Sequence, residues 1–393
     1  MVKRLNASRS RRRLGIFTSR ACYPLLALLL LASRAEAQRT PYYPPANSWE
    51  RRPPEQAGFD ASRLQAAVEY AKTSESTTRT DSASLVRAIA NEPFNEIIGP
   101  IKPRGGASGL IIRHGYIIAE WGDTRRVDMT FSATKSYLST VAGLAFDAGL
   151  LRSPGDTVSH DVAIDEFHTI PHNTRITWHQ LLNQTSEWQG TLWSKPDSAD
   201  RYNPRTGRRP VRAPGSTWTY NDVRVNVFAL ALLHVWREPL PRVLKQRIMD
   251  PIGASTTWRW YGYDNSWVDI DGLKMQSVSG GGHWGGGMQI SALDHARFGY
   301  LFLRNGKWNG KQLISEKWIS QAMLPTDVRP DYGYMWWLNT NRTPHKAAPA
   351  SAFWAAGNGG NYIFVDRQND LLVVLRWTRD FNGVIDRIYA ALR

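Results

Sequence analysis

A serine and a lysine three residues apart could form the core of a nucleophilic site. Ser132 and Lys135 stand in the run FSATKSYLST, which is typical of a helix start, and no other Ser-x-x-Lys occurs in the chain. A serine hydroxyl becomes a good nucleophile only when a base removes its proton, and a lysine one helical turn away lies within reach. That lysine must be neutral, which requires burial or a nearby cation to lower its pKa. An ordinary polar first turn with a solvated Lys135 fits the same spacing, so the pair alone leaves both interpretations open.

A second group with possible chemistry lies in the segment PGSTWTYND, just before an apolar run typical of a helix. It contains Tyr220 and Asp222. A phenol can relay a proton between a serine and a leaving group when a neighbouring cation lowers its pKa. The alternative is that Tyr220 packs as an ordinary aromatic residue and Asp222 caps the helix.

The segment FWAAGNGGNYIFV places glycines, among them Gly357, at the entry to a strand. Glycines let a backbone approach a ligand closely, and an N–H at an exposed strand edge could stabilise an oxyanion. A glycine bulge or turn is the structural alternative.

Histidines offer no predicted metal site. His283 lies between glycines in SGGGHWGGGMQISALDHARFG, but no histidine or acid stands at ligand spacing from it. His168 and His172 are four residues apart, but Pro171 breaks any helix that would join them. We therefore expect no bound metal and no cofactor.

The elements that must position these residues follow from the hydrophobic pattern. Asp60 can cap a helix that runs to about Ala71, and two β-runs surround a turn at His114-Gly115. Helical patterns then occupy 132–149, 177–183, 223–237 and 240–249, and no convincing strand occurs between about 150 and 260. Strand patterns return at 334–338, 361–365 and 371–377, before a final helix. The order predicts one α/β (α+β) unit, with an antiparallel sheet flanked by helices and an all-α insertion.

The first 37 residues have the pattern of a secretory signal peptide. Basic residues precede an apolar run at 23–32, and Ala35-Glu36-Ala37 forms a small-x-small cleavage site. The apolar run is too short for a comfortable membrane anchor. We expect a protein exported to the periplasm or secreted, with no stable anchor once the leader is removed.

Composition excludes several other classes of function. The formal charge of +15 falls to about +8 without residues 1–37, and the remaining basic residues are scattered without a nucleic-acid motif. We therefore expect no nucleic-acid partner. The one cysteine, Cys22, lies in the leader, so the mature chain has no disulfide and no thiol nucleophile.

Five segments in this order resemble the beta-lactamase-related serine hydrolases, a group that includes class C beta-lactamases, DD-peptidases, family VIII carboxylesterases and 6-aminohexanoate-dimer hydrolases. The segments are SATKS, ITWHQLLNQTS, PGSTWTYND, GGGMQISALDHARFG, and GNGGNYIFV with the following LLVVLRW. The likeness covers about residues 55–393 and implies a beta-lactamase/transpeptidase-like fold.

The resemblance also implies roles for single residues. Ser132 would be acylated, Lys135 would be its activating base, and Tyr220 would share the general base and acid roles. The oxyanion hole would use the N–H of Ser132 and that of Asn358, directly after Gly357. Asp222 stands at the third position of the family's Tyr-x-Asn element and would line the substrate site.

Two departures from the family pattern affect the expected substrate. Asp222 replaces the asparagine of Tyr-x-Asn, and Ala355 stands where the family has a cationic lysine or histidine. A site without these partners recognises the amide and carboxylate of a beta-lactam poorly. We expect hydrolysis of a small-molecule ester, small amide or peptide-like substrate. The alternatives are beta-lactamase or DD-peptidase activity, or a catalytically silent penicillin-recognising module.

The predicted organisation is a signal peptide at 1–37, an irregular lead-in at 38–58 and a hydrolase domain at 59–393. Within this domain the α/β part covers about 59–131 and 286–393, and the mainly helical part about 132–285. Pocket walls are expected from 186–215 and 255–285.

Overall fold

A computed structural model describes residues 41–77, 81–90, 92–200, 202–203, 207–208 and 210–393. The predicted signal peptide lies outside the described residues. Within the predicted lead-in, residues 54–57 form a 3-10 turn, and Arg51 makes an isolated β-bridge to Ile117.

Sixteen strands occur in the described part of the chain. In order they are β1 (Ser108–Arg113), β2 (Tyr116–Trp121), β3 (Asp128–Met129), β4 (Thr191–Leu192), β5 (Lys195–Pro196), β6 (Tyr202–Asn203), β7 (Gly207–Arg208), β8 (Arg259–Ile270), β9 (Leu273–Val278), β10 (Gly287–Ile290), β11 (Lys307–Trp308), β12 (Lys311–Gln312), β13 (Trp337–Leu338), β14 (Phe353–Gly357), β15 (Asn361–Asp366) and β16 (Leu371–Arg376).

The described α-helices number eleven. They are α1 (Ala61–Thr73), α2 (Ser82–Ile89), α3 (Thr134–Asp147), α4 (Val158–Asp161), α5 (Glu166–Thr169), α6 (Trp178–Leu182), α7 (Asp222–Trp236), α8 (Leu240–Leu244), α9 (Ala292–Leu303), α10 (Glu316–Ala322) and α11 (Phe381–Ala391). None of the helices in the described ranges is long and apolar enough to cross a membrane.

The main sheet is antiparallel and has the strand order β13-β14-β15-β16-β1-β2. Its central strands are buried on both faces, since side chains that alternate along β1 enter two different cores. Leu110 and Ile112 pack into the larger core with α3, α7 and α9, whereas Ile111 packs into a second core with α1 and α11. Strands of both chain ends therefore form one sheet, as predicted.

Local signals account for several element boundaries. The Asp60 side chain accepts a hydrogen bond from the Arg63 N–H and caps α1, which confirms the predicted helix. The β1–β2 turn has positive φ at His114 and Gly115 (53° and 88°), as expected of a tight hairpin turn. At α6, Thr177 and Gln180 form a reciprocal capping box.

The predicted insertion contains more than helices. A second antiparallel sheet has the order β3-β10-β8-β9, and the long β8–β9 hairpin lies inside the segment expected to be mainly helical. A register shift between Gly262 and Trp267 interrupts the alternation that would mark a strand. The available signal was the Asp271-Gly272 turn, where both residues have positive φ.

Candidate active site

Ser132 lies in a 3-10 turn, Phe131–Ala133, that leads directly into α3. Phe131 has a φ of 47°, which is unusual for a residue with a side chain, and its ring packs edge-on against Trp377. The preceding Thr130 is fixed by its N–H, which donates to the Met288 carbonyl, and by a 2.8 Å hydrogen bond between Oγ1 and His295 Nε2. The turn that carries Ser132 is therefore held on both sides.

Lys135 lies one helical turn after Ser132 and is buried, with 2% of its side chain exposed. Its Nζ donates a 2.9 Å hydrogen bond to Ser132 Oγ and also contacts Asp222 Oδ1. The same nitrogen lies 4.6 Å from the centroid of the Tyr220 ring. The structure thus brings together the three side chains predicted to be catalytic, and it places Lys135 inside the protein rather than in solvent.

The charge state of Lys135 differs from the expected neutral amine. Burial lowers the pKa of Lys135, but the Asp222 carboxylate and Tyr220 together raise it more, so the net pKa lies above the ordinary value. Burial raises the pKa of the Asp222 carboxyl, but Lys135 and His283 lower it more. Before substrate binds, the two residues therefore form a buried ion pair, and Lys135 is a cation.

Tyr220 ends the loop before α7. Burial raises the pKa of its phenol, and neighbouring Lys135 and Ser132 both lower it but offset only part of the rise. The phenol therefore keeps its proton at neutral pH. This loop is tied to the chain around Glu187: the carboxylate accepts hydrogen bonds from Thr219 Oγ1 at 2.7 Å and from Arg224 Nη1 at 2.8 Å.

Asp222 is not the helix cap, but it lies in the cavity wall, as the resemblance implies. The helix cap is Asn221, whose side chain accepts from the Arg224 N–H at 2.9 Å, because Asp222 is already the first residue of α7. The Asp222 carboxylate lines the cavity, but its two oxygens contact Lys135 and His283. The Asp222 carboxylate thus faces the cavity while paired with both of these cations.

The predicted oxyanion segment lies beside the Ser132 turn. Gly357 ends β14, and a Cβ atom at this position would lie 2.0 Å from the Thr130 carbonyl oxygen, so only glycine fits. Asn358 follows and lines the same cavity as Ser132. Its carbonyl accepts a 2.7 Å hydrogen bond from Asn361 Nδ2. Within the described ranges, the Asn358 N–H donates to no backbone carbonyl, which leaves this donor available to a ligand.

The cavity in front of Ser132 has a volume of about 670 Å³. Its apolar lining residues are Pro93, Ile97, Ile101, Met129, Phe131 and Ala199. Its other lining residues are Glu92, Ser132, Asp200, Tyr220, Asp222, Gly281, Gly282, His283, Gly285 and Asn358. Both predicted wall segments contribute to it, whereas the contribution of residues 92–101 was not predicted.

His283 has acidic partners, contrary to the expectation from spacing. Its Nδ1 lies 3.2 Å from Asp222 Oδ2 and 3.2 Å from Asp200 Oδ1, and its Nε2 lies 2.6 Å from Glu92 Oε2. Burial lowers the pKa of His283, but Asp200 and Asp222 raise it to a net value of about 11. Ligand atoms of Asp200, Asp222 and His283 all lie within 4.8 Å of one another and could hold a metal ion.

These partners were missed because they come from three distant segments. A histidine within a glycine-rich loop was a usable signal for His283, but nothing in the local sequence marks Glu92 or Asp200. The other two histidines considered do not pair: His168 Nε2 and His172 Nε2 contact the carbonyls of Val162 and Glu187, respectively.

Comparisons with known proteins agree with this architecture. The family model described as Beta-lactamase matches residues 94–392, which is more than half of the chain. A beta-lactamase from Mycobacterium bovis is 19% identical with a TM-score of 0.51, and the match covers 78% of this chain and 96% of that one. A penicillin-binding protein homolog from Caulobacter crescentus is 16% identical with a TM-score of 0.56, covering 85% and 99%.

A family VIII carboxylesterase is also similar in fold, with 16% identity, a TM-score of 0.53 and coverage of 85% of this chain and 99% of that one. The structural matches confirm the predicted fold class, and the family match confirms the resemblance seen in the sequence. The chain therefore belongs to the beta-lactamase family and is a serine hydrolase of that family.

Proposed function

We propose that this protein hydrolyses an ester or small amide through an acyl-enzyme on Ser132. One observation carries the proposal: Ser132 Oγ accepts a 2.9 Å hydrogen bond from the buried Lys135, at the wall of a cavity of about 670 Å³. A nucleophile, a proton-transfer group and room for a substrate meet at one point.

The first step requires that the serine proton leave while Lys135 is charged. At rest the shifted pKa values keep this proton on Lys135. Once a bound substrate excludes water, Lys135 would pass a proton to Asp222, whose carboxylate already contacts Nζ. The resulting neutral amine takes the proton of Ser132 as Oγ bonds to the substrate carbonyl carbon. The N–H groups of Ser132 and Asn358 would stabilise the oxyanion that forms.

Collapse of the tetrahedral intermediate needs a proton on the leaving group. Tyr220 would supply it as the C–O or C–N bond breaks, and Lys135 would return a proton to the phenolate. The proton held by Asp222 moves back to Lys135, which restores the ion pair. Water then attacks the acyl carbon by the same transfers in reverse order, and the acid product leaves.

The charges around the cavity favour an uncharged acyl group. Among the described residues that line the cavity, His283 is the one cation, and three carboxylates surround it. A substrate carboxylate would find no unpaired positive partner there, which disfavours beta-lactams. The apolar lining residues suit a hydrophobic acyl group. The similarity in fold to a family VIII carboxylesterase agrees with this proposal.

A panel of substrates tests whether the protein prefers esters to beta-lactams. We expect the purified protein to hydrolyse p-nitrophenyl esters of short and medium acyl chains faster than it hydrolyses nitrocefin, with both rates abolished in Ser132→Ala. Faster nitrocefin hydrolysis would replace the esterase proposal with beta-lactamase activity. Saturable binding of a penicillin by wild type without any turnover would instead support a penicillin-recognising module.

Export is a second part of the proposal and rests on the leader pattern at 1–37. Expression with and without these residues in a bacterial host, followed by fractionation, provides the test. We expect the full chain in the periplasm or medium with its leader removed, and the shortened chain in the cytoplasm. Equal distribution of the two forms would contradict export.

A further inference from the structure

We propose that Asp200, Asp222 and His283 form a binding site for one divalent transition-metal ion, of the Zn²⁺ class, at the wall of the Ser132 cavity. This differs from the expectation of no metal that the sequence supports. The proposal does not depend on acylation of Ser132.

The distances between the ligand atoms fit a metal ion. His283 Nδ1 lies 3.2 Å from both Asp222 Oδ2 and Asp200 Oδ1. Metal–ligand bonds of about 2.0–2.1 Å in a tetrahedral zinc site separate neighbouring ligand atoms by about 3.3 Å. All three ligand atoms lie within 4.8 Å of one another, so an ion can contact all three once the carboxylate ends move towards it.

The present hydrogen bonds leave one ligand atom without a donor. A ring N–H at His283 Nδ1 can point at only one carboxylate, and it bonds to Asp222 Oδ2. Asp200 Oδ1 forms an ion pair with the same ring nitrogen at 3.2 Å, but within the described residues no well-aligned hydrogen bond reaches this oxygen. A buried carboxylate oxygen that must share one donor is poorly satisfied, and an ion at the centre of the three ligands would satisfy it.

Surrounding contacts orient the ligands as in known metal sites. Glu92 Oε2 lies 2.6 Å from His283 Nε2, so the ring donates there and Nδ1 is left to bind an ion. Trp284 stacks on the imidazole with ring centroids 4.4 Å apart. Asp200 Oδ2 accepts from the Asp222 N–H, which directs Oδ1 towards the cluster.

The balance of charge also favours an ion. Glu92, Asp200 and Asp222 carry three negative charges, and Lys135 offsets one of them. A divalent ion bound to a neutral His283 would balance the other two. Asp222 contacts Lys135 through Oδ1 and would offer Oδ2 to the ion, so the contact with Lys135 can persist.

One imidazole nitrogen and two carboxylate oxygens suit Zn²⁺, Co²⁺ or Mn²⁺. Three protein ligands leave a coordination position for water or for a substrate oxygen. All three ligands line the cavity that also contains Ser132, so this position is open to a bound substrate.

Metal binding can be measured directly on the protein without the predicted leader, residues 38–393. After treatment with EDTA and dialysis, the protein is titrated with Zn²⁺ by calorimetry and with Co²⁺ by visible absorption. We expect one ion per chain. Bound Co²⁺ should show absorption bands at roughly 500–650 nm, which are typical of tetrahedral coordination. The variants Asp200→Asn and His283→Ala should weaken binding by at least about 100-fold.

Matched variants separate this site from other effects. Glu92→Gln keeps all three ligands and should weaken binding by about 10- to 100-fold. Ser132→Ala, and His114→Ala in the β1–β2 turn, should bind as wild type does, while circular dichroism checks the fold. The proposal is overturned by the absence of saturable binding, or by equal binding in wild type, Glu92→Gln and Asp200→Asn. If Ser132→Ala binds metal but wild type lacks esterase activity, the proposed function fails and the metal site stands.

Discussion

At the scale of single residues, the candidate site contains a buried ion pair between Lys135 and Asp222 instead of the neutral lysine expected from the sequence. Asp222 keeps Lys135 charged at rest, and Tyr220 keeps its proton. In the mechanism that we propose, the serine proton leaves after a proton moves from Lys135 to Asp222. Asp222 would then be a partner in proton transfer, a role that its place in the Tyr-x-Asn pattern did not indicate.

Removing the Lys135 amine should lower both stability and activity, and a second substitution can separate the two effects. Lys135→Met leaves the Asp222 carboxylate buried without its main partner, which we expect to cost about 3–5 kcal/mol in the free energy of unfolding. Esterase kcat should fall by at least about 100-fold. The double variant Lys135→Met/Asp222→Leu should recover stability in urea unfolding but no activity. A double variant as unstable as the single one would contradict the ion-pair account.

Gly357 tests the contact between β14 and the Ser132 turn. Gly357→Ala places a Cβ atom 2.0 Å from the Thr130 carbonyl oxygen, so the turn or the strand must move. Overpacking of this kind costs typically about 1–3 kcal/mol, and we expect a fall in kcat with a smaller change in KM. Gly155→Ala is the control, since its nearest neighbour would lie 3.6 Å away. Similar activity losses in both variants would argue against the contact.

At the scale of elements, Glu187 connects the segment after α6 to the loop that carries Tyr220. Its side chain is fully buried and bonds to Arg224 on α7 and to Thr219 and the Arg212 N–H in the loop. Because these bonds join segments far apart in the sequence, the position of Tyr220 depends on tertiary contacts rather than on local propensity.

The Glu187 contacts predict a pH dependence of stability. Burial raises the pKa of the Glu187 carboxyl, but Arg224, with smaller contributions from Thr219 and the Arg212 N–H, lowers it to a net value of about 2. A lowered folded-state pKa stabilises the protein above the unfolded value of about 4.3, and this stability is lost as the pH falls towards about 2. The free energy of unfolding can be measured by denaturant between roughly pH 5 and pH 2. Glu187→Gln should be less stable than wild type at the higher pH, and its stability should change less with pH. Parallel curves for variant and wild type would refute this role.

At the scale of the whole molecule, the sequence predicted the main sheet well because its signals are local. The strands at both ends, the Asp60 cap and the His114-Gly115 turn depend on short patterns that the structure confirms. The β8–β9 hairpin was missed, since the irregularity near Gly262 hides its alternation.

The candidate site was predictable only where its chemistry lies in short motifs. Ser132, Lys135 and Tyr220 stand in such motifs, and the fold brings them together. Glu92 and Asp200 have no local signature, because only the folded chain places them around His283. The charge on Lys135 was unpredictable for the same reason, since it depends on how far both Lys135 and Asp222 are buried.

The central claim is that Ser132 becomes acylated. The most direct measurement is intact-mass and peptide mass spectrometry after reaction with a fluorophosphonate probe. Ser132 Oγ would displace fluoride from the probe, so we expect wild type to gain the mass of one probe less HF, mapped to the peptide that contains Ser132, and Ser132→Ala to gain none. An unlabelled wild-type protein with an intact fold, or equal labelling of Ser132→Ala, would contradict the account.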